Sequence, residues 1–183
     1  MHWRPVYAVL EREVVRMVRQ RTRLLSAMVR PLIWMFVIGA GFGAVLGKAN
    51  GISYQQFLVP GVLGMTMLFG AMLAALTMVY DKESGVMRML IIAPFAHHWI
   101  VIAKMLSAAL AALLQTLLLL ILLALLGYVG ADARFGLLAL GLLATSIACA
   151  GIGMLVAAFT RTLDNFAAIM NFVIFPVFFL SGS

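Results

Sequence analysis

Five apolar runs, at about 31–46, 57–80, 105–128, 135–159 and 166–180, leave this chain very little that could face water. Most approach the roughly 20 residues needed to cross about 30 Å of hydrocarbon. Backbone amides in lipid must find their partners within their own segment, so each run is expected to be a helix. Overall 65% of the residues are hydrophobic and 10% are charged, against about 45–50% and 25% in soluble domains. So few charges cannot build a hydrated shell. The expected fold is therefore all-α: a polytopic membrane protein with five transmembrane helices.

Residues 1–30 form a separate unit ahead of a membrane domain spanning 31–183. At about 100° per residue, Val6, Leu10, Val14, Met17, Leu24 and Met28 gather on one side of a helix over 5–30. Arg12, Arg16, Arg19, Arg23 and Arg30 gather on the other. Such a helix lies in the headgroup plane, its arginines towards phosphate or water. Pro31 suits the first turn of the helix that opens the membrane domain.

Lysine and arginine set the orientation. With the N-terminus in the cytoplasm, Arg4 to Arg30 contribute seven, and Lys82, Arg88, Lys104 and Arg161 raise the cytoplasmic count to eleven. Lys48 and Arg134 are the two left outside. The positive-inside rule therefore places the N-terminus inside. The net charge of +7 is accounted for by anionic headgroups, and no basic groove with interleaved aromatics points to nucleic acid. Five spans put Ser183 outside, where Phe175-Pro176-Val177-Phe178-Phe179-Leu180 stops without a polar tail. A further span is expected to be missing.

Candidate chemistry is sparse. Gly39, Gly43, Gly47 and Gly51 recur every four residues and would let neighbouring backbones approach if the first span stays helical that far. Gly47-Lys48 imitates a phosphate-binding loop, but Phe42 and Ala49 stand where that loop needs glycine and a hydroxyl residue. His97 and His98 are adjacent, about 100° apart on a helix, which is wrong for a shared metal. Cys149 is the single cysteine and can form no intramolecular disulfide. The spans carry no mid-depth Asp, Glu or His, the groups that proton-coupled transporters place there, and no nucleophile-and-base set for a membrane hydrolase.

One compact island of charge stands between the second and third runs: Asp81-Lys82-Glu83-Ser84-Gly85-Val86-Met87-Arg88, closed by Pro94. Lipid holds such charges at high cost, so the cytoplasmic loop 81–104 is expected in water or against another protein. Asp81 is placed to cap a short helix whose apolar side is Met87, Leu90 and Ile91. A surface helix between two spans transmits force if a soluble partner pushes on it.

With these residues the chain resembles the membrane subunit of an ATP-binding-cassette exporter of the type-2 permease family. The matching stretches are Tyr54-Gln55-Gln56-Phe57-Leu58-Val59-Pro60-Gly61, then Asp81 to Leu90, Pro94, Lys104 and Gln115, then Phe175-Pro176 and Leu180-Ser181-Gly182. The resemblance implies six spans in a complete member, a dimer with a second copy or a related permease, and a bacterial cytoplasmic-membrane location. It also implies two partner ATPase subunits that hold ATP and magnesium, so this chain would carry no cofactor and no catalytic residues. Asp81, Lys82, Glu83, Gly85, Arg88 and Pro94 would belong to a coupling helix seated in the ATPase, and residues 5–30 to a connecting helix. Met65, Phe69, Met72, Asn171 and Phe175 would line a substrate path at the dimer axis. An ATPase-independent secondary transporter or channel, and a membrane scaffold or assembly factor, are the competing classes.

Overall fold

The structure, a computed structural model, describes residues 7, 11, 15, 29, 31–33, 35–37, 39, 41, 48–49, 52–87, 97–129 and 134–180. Within them a two-residue antiparallel ladder pairs β1 (Lys48–Ala49) with β2 (Ile52–Ser53), Lys48 opposite Ser53 and Ala49 opposite Ile52. Four helices follow: α1 (Tyr54–Glu83), α2 (His97–Leu125), α3 (Phe135–Phe159) and α4 (Leu163–Leu180). The fold is all-α and membrane-spanning. Large apolar side chains point away from its interior, among them Leu140 at 65% exposure and Phe172 at 79%, as hydrocarbon solvent allows and water does not.

Among the described residues three helices, α1, α2 and α3, are long and apolar enough to cross a bilayer; the apolar part of α4 is shorter. The run over 31–46 is described only in part, helical at 31–33, 35–37, 39 and 41. Helical backbone is present at Val29 and at Pro31. The four-residue glycine spacing cannot run to Gly51 as one helical face, because β1 begins at Lys48. Between the strands the sequence reads Asn50-Gly51, the strongest short-range hairpin signal.

The long α1 is the hub. It packs on α2, α3 and α4, while α2 also packs on α3. In its most apolar stretch 72% of the residues are buried, against 39% in α2 and in α3. The core is built on its Met67, Met72, Ala75 and Val79, with Ala112 from α2, Ala157 from α3, and Phe166 and Ile174 from α4. A second cluster joins Met35 to Val59, Val62 and Leu63 of α1 and to Leu119 and Leu123 of α2.

Small residues set the spacing between helices. A Cβ added to Gly70 would stand 3.2 Å from the Ala112 Cα of α2, and one added to Gly153 would stand 3.2 Å from the Ala71 carbonyl oxygen of α1. Without a hydrophobic drive in lipid, this close backbone approach is how membrane helices gain dispersion contact. Gly39 does the same towards the start of α1, its added Cβ 3.1 Å from Gln55 Cγ. The hydroxyls inside the helices turn back on their own backbones: Thr66 donates to the Val62 carbonyl at 2.7 Å, Thr116 to Ala112 at 2.8 Å and Ser146 to Leu143 at 2.8 Å.

The α2 helix ends in a Schellman motif. Gly127 takes φ +77°, its N–H donates to Ala124 at 3.0 Å, and the Tyr128 N–H donates to Leu123 at 3.0 Å. Gly85 takes φ +77° just beyond α1, where its N–H donates to the Lys82 carbonyl at 3.3 Å. A left-handed residue suits glycine because a Cβ there crowds the following carbonyl.

Candidate functional site

The charged island is divided by that bend at Ser84-Gly85. Asp81, Lys82 and Glu83 are the last turn of α1 and not the first turn of a new helix, so Asp81 caps nothing. Helical backbone resumes at Val86 and Met87, and Met87 packs against the main core. Arg88 and Pro94 lie outside the described residues, as do Arg12, Arg16, Arg19, Arg23, Gly43 and Gly47.

Three consecutive side chains on a helix point about 100° apart. On a helix surrounded by neighbours, they therefore meet three different elements. Asp81 is 3% exposed and its carboxylate accepts from Lys104 Nζ at 2.5 Å; Lys104 is 2% exposed. The island does not lie wholly in water or against another protein, because one of its charges is held inside the chain. This pairing also explains why α2 begins at His97 and not after Lys104: a neutralised lysine can sit within the helix. A buried lysine flanked by apolar helix needs an anion. Lys104 carries that signal in the sequence, flanked by Ile100-Val101-Ile102-Ala103 and Met105-Leu106.

Lys82 reaches the C-terminal end of α3. Its ammonium donates to the carbonyls of Ala157 at 2.7 Å, Ala158 at 2.9 Å and Thr160 at 3.4 Å. The last four carbonyls of a helix lack intrahelical partners, and the end carries partial negative charge. Thr160 Oγ1 donates to the Val156 carbonyl, so four acceptors at this terminus are supplied by one lysine and one threonine.

Glu83 reaches the opposite pole of the next helix. Its carboxylate accepts from the Leu163 N–H at 3.3 Å, at the first position of α4. Thr162 acts as N-cap, its hydroxyl accepting from the Asn165 N–H at 3.4 Å, and Asp164 adds negative charge to the same turn. Cation meets helix C-terminus and anion meets helix N-terminus, both from adjacent residues of α1. No spacing rule in the sequence links Lys82 and Glu83 to residues 75 to 80 positions away.

The residues expected along a substrate path differ in burial. Met65 (7% exposed), Phe69 (6%) and Met72 (0%) are enclosed in the core, whereas Asn171 is exposed on α4 beside Phe172. The side chain of Phe175 lies outside the described residues. Gln115 is a polar group buried in α2. It packs against Gly70, whose added Cβ would meet its Oε1 at 2.9 Å, and its Nε2 has no hydrogen-bond partner among the described residues. His98 is exposed and its ring lies 5.4 Å from that of Trp99, tilted by 43°.

The family model described as "ABC-2 type transporter" matches residues 4–183, nearly the whole sequence. The chain belongs to the ABC-2 type transporter family. Among its ABC-2 relatives, nodulation protein J of Rhizobium leguminosarum bv. viciae is 30% identical over 163 residues, which cover 87% of this chain and 62% of that protein. Nodulation protein J of the bv. trifolii strain is 31% identical over the same shares. The inner membrane transport permease YadH of Escherichia coli K12 is 23% identical over 184 residues, covering 100% of this chain and 72% of that protein. The chain thus spans 62% of the length of the nodulation proteins that it matches. No solved structure matches it.

Proposed function

We propose that this ABC-2 chain is the permease subunit of an exporter in the cytoplasmic membrane, driven by a separate ATP-binding-cassette ATPase that holds ATP and magnesium. The observation that carries this reading is the end of α1. The most enclosed of the four helices ends in a glycine bend, and its last three side chains grip α2, α3 and α4. The residues that follow, starting at Ser84 and Gly85, would receive force from a soluble motor and pass it through this root to the membrane domain. Membership of the ABC-2 family and the permease name of the Escherichia coli relative support the transport role. The cytoplasmic side of this loop follows from the lysine and arginine distribution.

In this reading the chain dimerises with a second copy or a related permease, and the path for substrate runs between them. Asn171 faces out from α4 and offers an amide to a polar group in transit.

The test is co-purification with an ATP-binding-cassette ATPase from the same organism and stimulation of its activity by the full-length permease, with Arg88→Ala and Glu83→Ala variants. Loss of a charge-assisted contact at the docking site with Arg88→Ala, or of the tie between α1 and α4 with Glu83→Ala, is expected to lower stimulation about 5- to 10-fold, equivalent to about 1 kcal/mol. Wild-type association and stimulation in both variants would overturn the coupling role.

A further inference from the structure

We propose that Asp81, Lys82 and Glu83 act as a rigid fastener that makes the α3–α4 connector, residues 160–162, travel with the loop that follows α1. The functional consequence rests on the coupling role proposed above; the rigidity is a property of this chain alone. Three adjacent side chains end on three different helices: Asp81 on Lys104 of α2, Lys82 on the terminal carbonyls of α3, and Glu83 on the first amide of α4. Each contact joins a full charge to an opposite charge or an opposite helix pole. Immediately after them the chain turns at Gly85, so any displacement of the loop passes through these residues first.

Independent movement of α3 would strand the Lys82 ammonium and the carbonyls of Ala157, Ala158 and Thr160 together. Independent movement of α4 would leave the Leu163 amide without its acceptor. The Lys82 contacts are partly buried to exposed and the Glu83 contact is exposed, so breaking them forfeits charge-assisted bonds to two helix poles without a full desolvation penalty. The cytoplasmic ends of the four helices therefore shift as one body, and a push on one loop is delivered to two. Arg161 and Thr162, both exposed on the connector, are carried along beside Ser84.

The test uses the full-length permease in lipid nanodiscs, in a Cys149→Ala background, with spin labels at Ser84→Cys and Arg161→Cys, positions that are both exposed. Dipolar EPR should give one narrow separation, broadened or shifted by Lys82→Gln combined with Glu83→Gln and restored when Lys82→Arg replaces the glutamine change. Amide exchange over 157–166 should accelerate about 10-fold in the double variant. If the double variant does not fold, the single Lys82→Gln and Lys82→Arg variants decide by the same two readouts. An unchanged separation together with unchanged exchange overturns the fastener. With the ATPase present, the separation should stay constant across nucleotide states while a label pair from Ser84→Cys to Leu125→Cys changes. A nucleotide-dependent 84–161 separation overturns the fastener and leaves the coupling role standing. No nucleotide response in either pair overturns the coupling role and leaves the fastener to the first measurements.

Discussion

A single ion pair illustrates how a charge survives in this molecule. Asp81 and Lys104 are both buried and 2.5 Å apart, so removing either one takes a full opposite charge away from the other in an apolar setting. Removing one partner, by Asp81→Asn or Lys104→Met, is expected to cost about 3–5 kcal/mol. The double replacement should recover much of that loss, because no charge is left stranded. Unfolding of the detergent-solubilised protein checks this; equal losses in single and double variants would show that the pair is not coupled. Gln115 presents the opposite case, a buried amide whose Nε2 finds no partner among the described residues. Gln115→Met keeps the volume and removes the orphaned group, so stability should stay level or rise by about 1 kcal/mol in the same assay. A loss of more than that would mean the amide is satisfied in the native membrane.

At the scale of the element, glycine position matters more than glycine frequency. Gly153 of α3 sits where an added Cβ would lie 3.1 Å from Ala75 Cβ and 3.2 Å from the Ala71 carbonyl oxygen of α1. Gly153→Val should force the two helices apart and cost about 1–3 kcal/mol. Gly141, with nothing within 4 Å of an added Cβ, provides the control, and Gly141→Val should unfold close to wild type. A matching loss at both positions would show that the loss at Gly153 does not come from its close approach to α1, since valine is the better helix former of the two. Helix ends obey a similar local logic. The ends of α3 and α4 flank a connector of only three residues, 160–162, and their poles are completed jointly by that connector, through Thr160 and Thr162, and by Lys82 and Glu83 of α1.

For the whole molecule, the arrangement puts one enclosed helix in the middle and leaves apolar faces of α3 and α4 outward. Lipid, a second copy or further helices can cover those faces, since each offers apolar contact without asking for hydrogen bonds. The orientation makes a sharp prediction. A cysteine at Ser84, exposed at the end of α1, should react with membrane-impermeant reagents in inverted vesicles and stay unlabelled in intact cells. Labelling from outside would reverse the proposed topology and remove the loop from any cytoplasmic motor.

Helical class and membrane habit were legible because they depend on composition summed over long runs, and one or two misjudged residues do not change that sum. Boundaries were less legible: α1 and α2 extend past the charges at which the apolar runs were cut, since Asp81 and Lys104 neutralise each other only once the helices pack. The β1–β2 turn was readable in Asn50-Gly51 but was overridden by a glycine spacing that continues through it. What the amino-acid order alone determined is which segments enter the bilayer and which end of each carries charge, because transfer free energy is local and additive. What only the tertiary structure decided is the partner of each charge. Lys82 and Glu83 meet helix poles 75 to 80 residues distant, and a contact between remote parts of a chain exists only after packing has brought those parts together.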